Sequence, residues 1–276
     1  MKLLYPFAKR FIAGHDFESA KPKIRKLIDN GYEVSIDYVG ELSKTEADCE
    51  RAQKQYLQII DFYKGTKIDI SIKPTQIGLL IDERYCERLL NKIVHEAHEN
   101  KHTVRLDMED SSVTSGTITL CLRLRQRYPN IGVAIQANLN RSAKDIGHLI
   151  DNNVSVRLVK GAYAGDLAEA ATVRLSFAVL AHHLRYKKAN KPAIATHDEK
   201  LISKINNKFY DYEFLYGVRR DLQKKLLNCG YRVRIYVPFG TEWLPYTLRR
   251  LKEWKNLKFV LINIFREWRS CLIKRK

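Results

Sequence analysis

Short apolar or β-branched runs alternate along the chain with longer segments whose apolar positions recur at helical spacing. The runs are Val34–Val39, Lys67–Lys73, Thr103–Met108, Ile131–Leu139, Val154–Lys160, Ala193–His197, Tyr212–Tyr216 and Tyr231–Val237. Between and after them, helical spacing covers Lys44–Tyr63, Asp82–Glu99, Thr114–Tyr128, Ser142–Asn152, Ala164–Lys188, Asp198–Asn207, Arg219–Asn228 and Trp243–Glu253. Several of these segments open on Ser, Thr or Asp suited to an N-cap. Strands separated by helices of ten or more residues make parallel βαβ units, because a parallel neighbour needs a crossover spanning the sheet. Eight such units fit a closed (β/α)8 TIM barrel of the α/β class better than the competing open, doubly wound sheet. No Gly- or Pro-rich linker divides the chain. One domain over residues 1–276 is therefore expected, with a short N-terminal segment (1–33) and a basic C-terminal helical tail (254–276).

Composition narrows the class. With 45% hydrophobic residues in 276, only 13 Gly and 7 Pro, the chain can bury a sizeable core and is neither disordered nor collagen-like. No apolar stretch is long enough to cross a membrane, and the opening Met-Lys-Leu-Leu-Tyr-Pro is charged too soon for a signal peptide. Five widely spaced cysteines without a C-x-x-C pair read as reduced thiols of a cytoplasmic protein. The formal net charge of +18 leaves three anionic partners open: nucleic acid, a membrane surface, or a phosphate-bearing cofactor. Nucleic acid is not expected, because no zinc-finger or RNP sequence and no basic stripe with interleaved aromatics is visible.

A barrel carries its chemistry where strands end and βα loops begin. The expected strand ends supply polar residues in series: Lys73; Asp107, Glu109 and Asp110; Gln136; Arg157 and Lys160; Thr196 and His197; and Tyr236. An unpaired buried charge is costly, so these residues must pair with one another or with a ligand. After the last strand, Arg249 and Arg250 are followed by Glu253. Two adjacent guanidinium groups can fork a carboxylate as lysine cannot, and Glu253, one helical turn on, can orient Arg249. His197 has no partners at metal-ligand spacing, so no metal is expected. Lys160 admits two readings: a Schiff-base lysine, or a cation beside Gly161 where the backbone lets a phosphate approach. Residue types alone favour a barrel enzyme that binds an anionic cofactor and a carboxylate substrate.

The segments RFIAG (10–14), SIKPTQIGL (71–79), VRLDMEDSSVT (104–114), GVAIQANLNRS (132–142), VRLVKGAY (156–163), ATHD (195–198), FLYGVR (214–219), YRVRIYVPFGTEW (231–243) and PYTLRRLKE (245–253) occur in order along nearly the whole chain. Together they resemble the proline dehydrogenase family, in its single-function bacterial form. The resemblance implies a distorted (β/α)8 barrel with a C-terminal helix that holds FAD at the C-terminal ends of its strands. It implies oxidation of L-proline to 1-pyrroline-5-carboxylate by hydride transfer to the flavin N5, the first step of proline catabolism. Carried over by position, Lys73, Arg249 and Arg250 bind the substrate carboxylate, Leu215 walls the pocket and Tyr236 packs on the proline ring. Met108, Gln136, Arg157, Lys160, Gly161, Ala162, Thr196 and His197 contact FAD, with Arg157 near N5. Asp107 corresponds to a carboxylate that supports activity by orienting Lys73 or an arginine, and Glu253 supports Arg249.

Two positions depart from the family pattern: Asn138 stands where an aromatic residue is common, and Glu213 where Gln is common. Nine residues precede RFIAG, fewer than relatives usually carry. Proteins resembling this one pass electrons to a membrane quinone. The tail Phe259–Lys276 is apolar with a basic end, and two readings follow: the barrel's last helix, or a contact on the inner face of the cell membrane.

Overall fold

A computed structural model describes residues 10–243. Eight parallel strands close into a barrel in chain order. They are β1 Glu33–Tyr38, β2 Asp69–Ile72, β3 Thr103–Leu106, β4 Ile131–Gln136, β5 Ser155–Val159, β6 Ala193–Ala195, β7 Asp211–Leu215 and β8 Val233–Phe239. β8 returns to β1 over the pairs Glu33 with Arg234 through Tyr38 with Phe239, which leaves no free sheet edge. Helix α1 (Phe17–Asp29) precedes the barrel. The crossover helices are α2 Glu46–Phe62, α3 Glu83–Glu99, α4 Thr114–Arg125, α5 Ser142–Asp151, α6 Ala170–Tyr186, α7 Glu199–Ile205 and α8 Arg220–Asn228. The expected closed (β/α)8 architecture is present. The expected helix Trp243–Glu253 and the tail 254–276 lie outside the described residues.

The core lies between strands and helices. Ile36, Ile70, Leu106, Val133, Leu158, Ile194, Phe214 and Ile235 all belong to one continuous cluster with the inward stripes of the helices. The alternate strand positions face the barrel lumen, which here is polar: Ser35, Asp69, Ser71, Arg105, Arg157, Glu213 and Arg234 are all buried. Small residues make room for these long side chains. Arg157 lies in register with Ala134 on one side and Ala193 on the other. A Cβ on Gly132 would fall 2.5 Å from the Ser155 carbonyl and 3.1 Å from Arg105 Nη1, so only glycine lets that guanidinium pass.

The N-terminal segment, for which no element was expected from the periodicity, contains α1. Its start is fixed by a capping box, in which Asp16 accepts from the Ser19 amide at 2.8 Å and Ser19 Oγ accepts from the Asp16 amide at 3.3 Å. Helix α6 begins at Ala170 rather than Ala164. The preceding residues form a loop, pinned where the Asn140 amide donates to Asp166 at 2.7 Å and the Leu167 amide to the Asn138 carbonyl at 3.0 Å.

Candidate active site

All eight strands run the same way, so their C-terminal ends share one mouth. Lys73 follows β2, Asp107 follows β3, Arg157 stands on β5 and Tyr236 on β8, and the fold gathers these four side chains. Lys73 Nζ donates to Asp37 Oδ1 at 2.9 Å and to the Tyr236 hydroxyl at 3.3 Å, and lies 3.6 Å from Asp107 Oδ2. The Tyr236 hydroxyl donates to Asp107 Oδ2 at 2.6 Å, while Arg157 Nη1 donates to Asp107 Oδ1 at 2.5 Å. Asp107 thus bridges the arginine and the tyrosine, and the Arg157 guanidinium lies 5.4 Å from the Tyr236 ring.

The lower edge of Arg157 is held by other strands. Nε donates to Glu213 Oε2 at 2.9 Å, and Nη2 donates to Ser71 Oγ at 2.8 Å, Ser35 Oγ at 3.1 Å and Asp69 Oδ2 at 3.4 Å. Burial disfavours the charged guanidinium, but Glu213, Asp107 and Asp69 outweigh it and raise its pKa, so Arg157 stays a fixed cation. Lys73 follows the same logic: burial opposes its charge, and Asp37 with Asp107 raise its pKa nonetheless. Asp37 behaves differently. Burial is the largest influence and pushes its carboxyl up against the pull of Lys73, while its Oδ2 has no hydrogen-bond partner among the described residues.

Gln136, at the end of β4, donates to the Glu109 carbonyl at 3.0 Å and accepts from the Ala162 amide at 3.3 Å. It thereby ties the loops after β3 and β5 together. Gly161 has φ +111°, a conformation in which a side chain is strained, and a Cβ there would meet the Asn138 amide at 2.2 Å. Asn138 fills the space beneath this loop and donates to the Tyr163 carbonyl at 3.0 Å.

Lys160 is partly exposed and pairs with Asp198 at 2.9 Å, a carboxylate also met by Arg174 at 2.8 Å. Thr196 is buried and accepts from the Asp198 amide at 3.2 Å, while the His197 ring packs on Phe214 with centroids 5.6 Å apart. Met108 is buried in the loop after β3, and Leu215 ends β7, half-buried.

Two residues expected among the strand-end group do other work. Thr75 donates to both oxygens of Glu109, its amide at 3.1 Å and its hydroxyl at 2.6 Å, which joins the loops after β2 and β3. Asp110 caps a 3-10 turn by accepting from the Ser112 amide at 3.0 Å. Arg249, Arg250 and Glu253 lie outside the described residues. Among the described residues no group of His, Cys, Asp and Glu could hold a metal.

Sequence reasoning did not single out Asp37, Ser35, Ser71 or Asp69, the residues that anchor Lys73 and Arg157. Their signal was a polar residue at every second position of β1 and β2.

The donor set fits an anionic cofactor together with a carboxylate substrate: two fixed cations stand at the mouth, and Lys160 sits on its rim beside a loop opened by Gly161. A barrel with such a mouth belongs to the enzymes that act on small, charged molecules at the C-terminal face. A family model for proline dehydrogenase matches residues 20–260. The chain is 34% identical to proline dehydrogenase 1 of Bacillus subtilis subsp. natto, over 94% of this chain and 91% of the relative, and 32% identical to proline dehydrogenase of Deinococcus radiodurans, over 94% and 90%. The fold matches proline utilization A (PutA) from Bdellovibrio bacteriovorus with a TM-score of 0.82 at 22% identity, covering 91% of this chain and 33% of that one. This chain belongs to the proline dehydrogenase family, oxidoreductases acting on CH–NH donors.

Proposed function

We propose that the chain oxidises L-proline to 1-pyrroline-5-carboxylate with FAD as its cofactor. When bound, FAD supplies the two-electron acceptor that takes a hydride from the ring carbon next to nitrogen, as a C=N bond forms and the nitrogen loses its proton. The chain's own residues supply binding, orientation and charge. Lys73 offers its ammonium to the substrate carboxylate, and Arg249 and Arg250 complete that clamp with fork geometry. Tyr236 packs against the proline ring, Leu215 walls the pocket, and Asp107 holds both the Tyr236 hydroxyl and Arg157 in place. Arg157, a cation in a dry site, would favour negative charge on a bound cofactor. Met108, Gln136, Lys160, Gly161, Ala162, Thr196 and His197 form the cofactor's bed.

One observation supports this reading most: four side chains on or just past four different strands meet in a single hydrogen-bonded cluster, Lys73–Tyr236–Asp107–Arg157, in a chain matched by the family along its length. The test is a spectrum. Purified protein should carry flavin absorbance that bleaches when L-proline is added, and a colourless protein that added FAD cannot restore contradicts the proposal. Replacing Arg249 by Lys should raise KM for proline strongly, because a point charge cannot fork a carboxylate.

The electrons then pass to a membrane quinone, with the enzyme peripheral on the inner face of the cell membrane. Among the described residues no helix is long and apolar enough to cross one.

A further inference from the structure

Helix α6 breaks the rule that the solvent side of a surface helix is charged. Its buried side is ordinary, with Phe177, Ala178, Leu180, Ala181 and Leu184 against the core. Its outward face carries Ala171, Thr172, Leu175, Val179, His182 and Tyr186, all exposed. Leu175 is 62%, Val179 58% and Tyr186 82% exposed. At spacings of four and seven residues, these three form one stripe along the helix.

The surroundings of the stripe are basic. Residues 10–169 hold 23 Lys and Arg against 23 Asp and Glu, a net charge of zero. Residues 170–232, which contain α6, α7 and α8, hold 13 against 5, a net +8. Arg185, Lys187, Lys188 and Lys191, at the end of the stripe, are exposed and form no ion pair among the described residues.

Three occupants compete for this face. A second copy of the chain would set one +8 sector against another. The segment 244–276 carries 10 Lys and Arg against 2 acidic residues, so it meets the same repulsion. The described chain also ends beyond β8, with Trp243 packed near Ile12 and Val39 at the β1 side, whereas α6 packs on β5, across the ring. An anionic lipid surface satisfies both halves of the pattern, because it takes apolar side chains into its headgroup boundary and attracts the lysines around them.

We propose that the outward face of α6, with the Lys187–Lys191 cluster, is the surface by which this protein docks on an anionic membrane. The inference rests on the membrane reading above and assigns it to a place in the fold. The test is flotation of the full chain with vesicles of equimolar phosphatidylglycerol and phosphatidylcholine, and with phosphatidylcholine alone. The unaltered chain should bind the anionic vesicles only. A Leu175→Ser/Val179→Ser/Tyr186→Ser variant and a Lys187→Glu/Lys188→Glu/Lys191→Glu variant should each bind at least tenfold more weakly, with unchanged melting temperature. If the unaltered chain binds neither vesicle, the membrane reading and this surface both fall. Binding that both variants retain, but that deletion of 268–276 abolishes, overturns the surface alone and leaves membrane contact to the tail. A dimer that the serine variant makes monomeric, with no vesicle binding in either form, assigns the stripe to self-association instead.

Discussion

The lumen of this barrel has two levels, and they treat buried charge in opposite ways. On the floor, Asp69 is surrounded by donors: Thr103, Ser35 at 3.0 Å, Arg157 at 3.4 Å and Arg105 at 3.5 Å. Burial alone would raise its pKa, yet Arg105, Arg234 and Arg157 bring it down to about 2. At the mouth, Asp37 is equally buried but shares a single lysine with Asp107, keeps one oxygen without a hydrogen bond among the described residues, and is raised instead. Around Asp69 the floor is saturated and holds the structure together. Asp37 at the mouth keeps a buried acceptor without a hydrogen-bond partner among the described residues, the kind of perturbed group that marks functional sites.

The largest effect should come from the residue that joins the two levels. Arg157→Met strands Asp107, Glu213 and Asp69 at once. Removing one partner of a buried ion pair costs about 3–5 kcal/mol, so this variant should lose activity and unfold at much lower denaturant. Chemical denaturation with an activity assay reads both losses, and a stable, active variant contradicts the joining role. Arg105→Met tests the floor alone. It should cost about 2–4 kcal/mol, because Asp69 loses one of its cations, and leave KM for proline unchanged. A shift in KM without a shift in stability would reverse the assignment of floor and mouth.

Much of this was legible in the sequence, and the exceptions share a cause. All eight strands announced themselves as short apolar or β-branched runs, and the residues at or just past their ends, such as Lys73, Asp107 and Gln136, marked the mouth. The strands were expected to run slightly too long in places. Ile131–Leu139 stops at Gln136, although the Ala137 and Asn138 amides still donate to the Val159 and Lys160 carbonyls. The floor, and Asp37 above it, were not seen. Ser35, Asp37, Asp69 and Ser71 alternate with Val34, Ile36, Ile70 and Ile72, and a polar residue at every second position ordinarily means a solvated face. Barrel closure turns that face inward, which no single strand can reveal. Helix α1 was hidden by Pro22 and a charged stretch, and its capping pair Asp16 and Ser19 was the overlooked signal.

Asp37→Asn probes the mouth more gently. It removes a carboxylate whose charged form burial disfavours, while Lys73 keeps Asp107 and Tyr236 nearby. Because Asp107 still faces the ammonium at 3.6 Å, stability should fall by only about 1–2 kcal/mol, less than at Arg105, as KM for proline shifts with the position of the ammonium.

The pH dependence sharpens the contrast between the levels. Asp69 has its folded pKa depressed, so its contribution is present above the unfolded value of 3.8 and lost as pH falls from there toward about 2. Asp37 has its folded pKa raised, so the folded state holds the proton more tightly and stability declines as pH rises from 3.8 through the raised value. Denaturant midpoints measured across that acid range in the unaltered chain and in Asp37→Asn should separate the two slopes. Removing Asp37 should make the curve rise more steeply with pH over that range, and an identical curve in both proteins would mean that Asp37 contributes no pH dependence.

The smallest effect should come from His102, buried outside the lumen, whose ring nitrogen lies 3.3 Å from the Ile60 carbonyl. Burial lowers its pKa below 6.5, so the unfolded chain binds this proton more readily than the folded one. Stability tied to His102 is therefore complete above pH 6.5 and declines as pH falls through that value. His102→Gln, which keeps a side-chain donor for the Ile60 carbonyl without a titrating ring, should flatten stability between pH 7 and 5 by less than about 1 kcal/mol. The difference between the midpoint series of the two proteins over that window isolates the histidine, because the buried carboxyls are common to both, and an unchanged slope would place the near-neutral pH dependence elsewhere.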